Sequence, residues 1–118
     1  MSDFKQHARR FSSFASAVEL ASKHLESRVT IQQLLLLARV LEAEAMGQSV
    51  TVADIRERDN LGSSLGRSYQ IFTAPSKQFP DALGWLVIEE DEDDRRRKTL
   101  KLTPAGRKIA EEFARRLS

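Results

Sequence analysis

Six acids in succession, Glu89 to Asp94, run directly into four bases, Arg95 to Lys98, and an alternating segment, TLKLT, follows at 99–103. These side chains bring charge but no nucleophile, so the chemistry open to them is recognition of a polyanion or of a charged partner. An arginine cluster on a narrow loop suits the DNA minor groove, where a narrow width concentrates negative potential. The preceding acids would repel phosphate if they faced it. Glu89 and Glu90 are expected to close a strand, and Asp93 and Asp94 to orient the bases, with Arg96 two positions from Asp94. A solvated, self-neutralising turn is the simpler reading of the same charges.

A second set lies upstream in SSLGRSYQ, residues 63–70. Ser63 and Ser64 are small enough, beside the free amides of a helix start, for close approach to phosphates or base edges. Arg67 can take a guanine edge or a phosphate, and Gln70 an adenine. Ser68 shares the segment, and Lys77 beyond it is placed to touch the nucleic-acid backbone. Capping is the plain alternative for Ser63, and a solvated side chain for Arg67.

Nothing comparable points to catalysis. His7 and His24 lie far apart on one predicted helix, with no cysteine or carboxylate spacing for a metal. The acid run lacks the glycine and alternating ligands of a calcium loop. The five glycines form no phosphate cradle, and no serine has a credible His/Asp constellation. No catalytic residue, metal site or cofactor is expected. The absence of cysteine removes disulfides and thiolates together. No apolar run approaches the length of a membrane span, and MSDFKQHARRF has no signal core, so a cytoplasmic protein without a membrane partner is expected. The 118 residues, 41% hydrophobic and 31% charged, suit one domain, 1–118, with a modest core. The net charge of +2 hides an uneven distribution: residues 95–118 hold nine Lys or Arg against Glu111 and Glu112, a local balance of +7.

The elements that must position these groups follow from periodicity. Phe4, Phe11, Val18 and Leu25 recur every seven residues, with Phe14 and alanines beside them, which predicts a helix over 3–27 capped by Ser2. Thr30 with Gln33 makes a capping box for a second, central helix stopped near Gly47. A short β piece at 49–52 leads to Thr51-x-x-Asp54, another cap, and a short helix to about 58. DNLG then turns the chain into a helix over about 62–74, with Leu61, Leu65, Tyr69 and Phe72 on its core face and Ile71 outside it. That is a helix-turn-helix. Pro75 ends or kinks the second helix. WLVIE and TLKLT form a hairpin over about 85–102, and Thr103-Pro104 opens a last helix over 104–117.

The fold class expected is mostly α (α+β): a winged helix-turn-helix with additional N- and C-terminal helices. Phe4, Phe11, Phe14, Val18, Ile109, Phe113 and Leu117 exceed what so small an interior holds, and an exposed apolar face of that size marks an interface, here of a homodimer.

TVADI at 51–55, GWLVIE at 84–89, Asp94-Arg95-Arg96 and Leu102-Thr103-Pro-Ala-Gly106 together resemble the MarR family of transcriptional regulators, over roughly residues 30–110. The resemblance implies a homodimer with interlocked terminal helices, recognition helices in successive major grooves of double-stranded DNA, and wings in the flanking minor grooves. It places Asp94 and Arg96 as the wing's acid–arginine pair. It implies a regulator, by analogy a repressor, and leaves a small-molecule effector open. Pro75 and Pro80 interrupt the segment where the family runs one continuous recognition helix, and Gly66 weakens it by about 1 kcal/mol against alanine. The competing function is a winged-helix protein-interaction module that never touches DNA.

Overall fold

Both threonine caps form in full in the computed structural model, which describes residues 3–25, 29–59, 61, 68–90, 93 and 97–118. Thr30 Oγ1 accepts from the Gln33 amide (3.1 Å) while Gln33 Oε1 accepts from the Thr30 amide (2.7 Å), and helix α2, Ile31–Ala45, begins there. Leu36, Leu37 and Val40 lie within 1% of complete burial, which makes α2 the central helix. Its burial stops short of the full circumference, because Ala38 and Ala45 remain exposed. Strand β1, Val50–Thr51, is followed by helix α3, Val52–Arg58, started by the reciprocal Thr51–Asp54 bonds.

The N-terminal helix differs in its ends. A 3-10 turn, Asp3–His7, precedes helix α1, Ala8–His24, and His7 supplies no side-chain cap. The expected Ser2 cap lies outside the described residues. The helix closes before Leu25, whose backbone is extended. Leu20 and Ala21 are its buried residues, whereas Phe4, Phe11, Phe14 and Val18 face solvent.

The predicted helix over 62–74 is described only from Ser68, where a 3-10 turn runs to Phe72. Its carbonyls are committed elsewhere. The amides of Leu83, Trp85 and Gly84 donate to the carbonyls of Ile71, Phe72 and Thr73 at 2.8–2.9 Å, so the segment returning through Pro75 and Pro80 takes the acceptors a longer helix would need. Tyr69 and Phe72 fill the core as expected, Phe72 stacking on Trp85 with ring centroids 6.3 Å apart. Ile71 also packs against that core, contrary to the expectation that it points away.

Strands β2, Leu86–Glu90, and β3, Lys98–Leu102, pair antiparallel, with Leu86 opposite Leu102 and Glu90 opposite Lys98. β1 adds to the far edge of β3, giving the order β1-β3-β2. Helix α4, Pro104–Leu117, then packs against α1. The Leu-Thr-Pro-Ala-Gly segment is the seam. Thr103 Oγ1 accepts from the Gly106 amide (3.0 Å) and donates to the Gly84 carbonyl (2.6 Å), and the Thr103 amide donates to the Trp85 carbonyl (2.9 Å). Ile109 and Phe113, expected on a dimer surface, are buried within the chain against that core, at 6% and 8% exposure. Their spacing selects the face of α4 that meets α1, and that face is an internal one. Leu117 remains exposed. The architecture is a winged helix with a helix added at each end.

Candidate nucleic-acid interface

Two elements of a winged helix can reach a duplex, and both are built here from the core outwards. The first is the segment after α3. Tyr69 and Phe72 anchor its end from beneath. Gln70, expected to read a base, is half-buried, and its carbonyl accepts from the amide and hydroxyl of Thr73. Lys77 is exposed in the return loop. Ser68 opens the 3-10 turn, while Ser63, Ser64 and Arg67 lie outside the described residues. A cleft of about 310 Å³ sits beside this segment, lined by Gln33, Ile71, Phe79 and Asp81 among others.

The second element is the β2–β3 hairpin. Leu86, Ile88, Leu100 and Leu102 turn one face to the core, and the chain reverses at a tip between Glu90 and Lys98. Arg97 and Asp93 are exposed at that tip, and Lys98 is half-buried on the first pair of the ladder. Asp94, Arg95 and Arg96 lie outside the described residues. Glu89 and Glu90 close strand β2 as expected, and Glu89 also pairs with Lys101 at 3.5 Å. Such an exposed pair adds little stability. It does withdraw one carboxylate from the tip.

Sequence reasoning missed the group that ties the end of α3 to α2. Arg39 on α2 forks onto Asp59, with Nε 3.0 Å from Oδ2 and Nη2 3.0 Å from Oδ1. Its Nη1 bonds Glu42 at 3.2 Å, and Arg58 joins Glu42 at 3.4 Å. Only the i,i+3 spacing of Arg39 and Glu42 was a legible signal; Asp59 is twenty residues away in sequence and reads as a turn residue. The hydrogen bonds from Arg39 hold the Asp59 carboxyl below its ordinary 3.8, against the opposing effect of burial, and Asp59 raises Arg39 in return. Folded Asp59 therefore binds its proton more weakly than the unfolded chain does. The stabilisation is complete above about pH 4 and disappears as pH falls through the folded value. Asp59→Asn is expected to lower the melting temperature by a constant amount between pH 5 and 8, with the gap to wild type closing below pH 4 in calorimetric scans.

Among the described residues no helix is long and apolar enough to cross a membrane, and no group of three or more His, Asp or Glu could hold a metal ion. No family model and no curated protein matches the chain. Solved structures do. The overoxidized AbfR bound to DNA, a protein of Staphylococcus epidermidis, superimposes with a TM-score of 0.58 at 19% identity, over 96% of this chain and 71% of that one. YusO from Bacillus subtilis gives 0.59 at 22% identity, over 97% and 71%. The heme sensor PefR from Streptococcus agalactiae, solved with heme, gives 0.57 at 18%, over 99% and 75%. These neighbours are MarR-family regulators. The chain thus has the winged-helix fold of MarR-family regulators.

Proposed function

We propose that this protein is a dimeric, sequence-specific DNA-binding regulator of the MarR type, a repressor in its simplest mode. The carrying observation is the finger: a core-anchored hairpin presents Arg97 at its tip, next to Arg95, Arg96 and Lys98 in sequence, on a fold shared with a protein solved on DNA. The segment ending at Ser68–Phe72 reads the major groove through Ser63, Ser64, Arg67, Ser68 and Gln70, with Lys77 on the backbone. The wing enters the minor groove, where Asp94 orients Arg96. The exposed Phe4, Phe11, Phe14, Val18 and Leu117 form the surface between copies. An effector of aromatic or heterocyclic type would have the cleft beside Ile71 and Phe79, against the reading segment.

Footprinting on genomic fragments, including the DNA upstream of its own gene, tests this reading. Two half-sites about 10 bp apart, centre to centre, are expected. Arg96→Ala should weaken binding while leaving the sedimentation coefficient of the free protein unchanged. A single unpaired half-site contradicts the dimeric mode. No binding to any fragment at low salt leaves the fold as a protein-interaction module.

A further inference from the structure

Phe79 is a large apolar side chain that the core does not claim. It is half-buried, yet it stands outside the cluster that holds Tyr69, Ile71, Phe72 and Trp85. Its backbone is nonetheless firmly fixed. The Phe79 amide donates to Ser76 Oγ (3.1 Å), and the Phe79 carbonyl accepts from the amides of Ser76 (3.0 Å) and Ala82 (3.1 Å). Pro75 and Pro80 restrict the loop from either side. These bonds and both prolines therefore hold a ring beside a cleft, with little burial gained in return.

The other side chains that line the cleft are as well supported. Gln33 is 6% exposed, and its Oε1 accepts from the Thr30 amide in the capping box that starts α2. Ile71 packs on the core, and its carbonyl accepts from the Leu83 amide at 2.9 Å. The cleft measures about 310 Å³, the size of a small-molecule site. Walls fixed before a ligand arrives leave little ordering entropy to lose on binding.

The lining has one sign. Among the described residues it offers the Asp81 carboxylate, the side-chain amides of Gln33 and Gln78, and the apolar surfaces of Ile71, Phe79 and Pro80. No lysine, arginine or histidine is among them, so an anionic ligand would meet Asp81 without a compensating cation. Asp81 is exposed and joins no ion pair among the described residues. A cation meets the reverse situation, drawn by the carboxylate and by the negative face of the Phe79 ring.

We infer that this cleft binds a small organic cation with an aromatic or apolar body, its ammonium on Asp81 and its body against Phe79 and Ile71. The inference deepens the effector reading above, rests on it for any regulatory role, and fixes the sign of the ligand's charge. Arg39 and Asp59 tie the end of α3 to α2. The cleft joins the start of α2 to the turn Ser68–Phe72, so its occupant sits where the reading segment meets the central helix.

Three one-ring probes that differ in charge test this: phenethylamine, the neutral phenethyl alcohol, and hydrocinnamate. Each is titrated into the isotope-labelled full chain without DNA, and the amide resonances are followed by NMR. The amine should move the Ile71, Phe79 and Ala82 amides. It should bind roughly two- to fivefold tighter than the alcohol, the range of an exposed charge pair. The acid should bind more weakly than the alcohol. Asp81→Asn, at an exposed position, should bring the amine down to the alcohol's affinity and leave the alcohol's own unchanged. The inference is overturned if the acid binds as tightly as the amine, if Asp81→Asn still prefers the amine, or if those three amides do not move. Because no DNA is present, each of these outcomes leaves the regulator reading to the footprint. A failed footprint beside a bound amine leaves the cleft standing as a ligand site.

Discussion

Gly106→Ala is expected to be among the most destabilising single-methyl additions the chain can receive. A Cβ at this position would run into the backbone carbonyl of Trp85, with the Leu102 side chain on another side. Backbone cannot swing away as a flexible side chain does. That carbonyl is also fixed by the Thr103 amide, and Thr103 in turn caps α4 through the Gly106 amide. The extra methyl must therefore part α4 from the start of β2, where Trp85 and Leu86 are buried. We expect a loss of about 3 kcal/mol, the upper end of what overpacking costs, or about 12 °C in melting temperature for a domain of this size. Gly47→Ala is the control. Gly47 has φ +69° but open space around its Cβ position, so it should lose only about 1 kcal/mol from the left-handed backbone. Thermal and urea unfolding followed by circular dichroism separate the two. Equal losses would mean that the seam between strand and helix is looser than its hydrogen bonds indicate.

That seam also shows what was legible in the sequence. The caps at Thr30, Thr51 and Thr103 are local, each made within three residues, so element starts could be read directly. Leu-Thr-x-x-Gly was recognisable as a family pattern, but its reason was hidden, because it lies in the Gly84–Trp85 backbone some twenty residues earlier. The same holds for Arg39 and Asp59, whose fork crosses between helices. Periodicity misled most at Ile109 and Phe113. Spacing identifies an apolar face and says nothing about which chain covers it, and here α1 of the same chain does. On α1 the heptad stripe mixes two fates: its C-terminal end packs within the chain, while Phe4, Phe11 and Val18 are left outside. The turn that ends at Phe72 is closed by non-local bonds from residues 83–85, which no local propensity encodes.

The other large effect concerns salt. If the wing and reading segment lie on a duplex, each phosphate they neutralise releases counterions, and the log–log slope of affinity against salt steepens by about 0.9 per contact. A dimer making six to ten such contacts should lose roughly 10³–10⁵ in affinity between 50 and 200 mM salt. Replacing Arg95, Arg96, Arg97 and Lys98 together by alanine removes four cations per chain and leaves the five acids of 90–94 without their neighbouring bases, while Glu89 keeps Lys101. The slope should flatten by up to about seven, and affinity at 50 mM salt should fall at least a hundredfold by the same counting. The acids should then divide by role. Asp91→Asn with Glu92→Gln removes repulsion alone, so binding should strengthen to every sequence alike. If Asp94 orients Arg96 as proposed, Asp94→Asn frees that arginine, and the operator should weaken more than random DNA. Fluorescence anisotropy across a salt series on operator and scrambled duplexes reads all three variants. A slope unchanged by loss of the four cations would take the wing off the DNA and leave the reading segment to carry recognition alone.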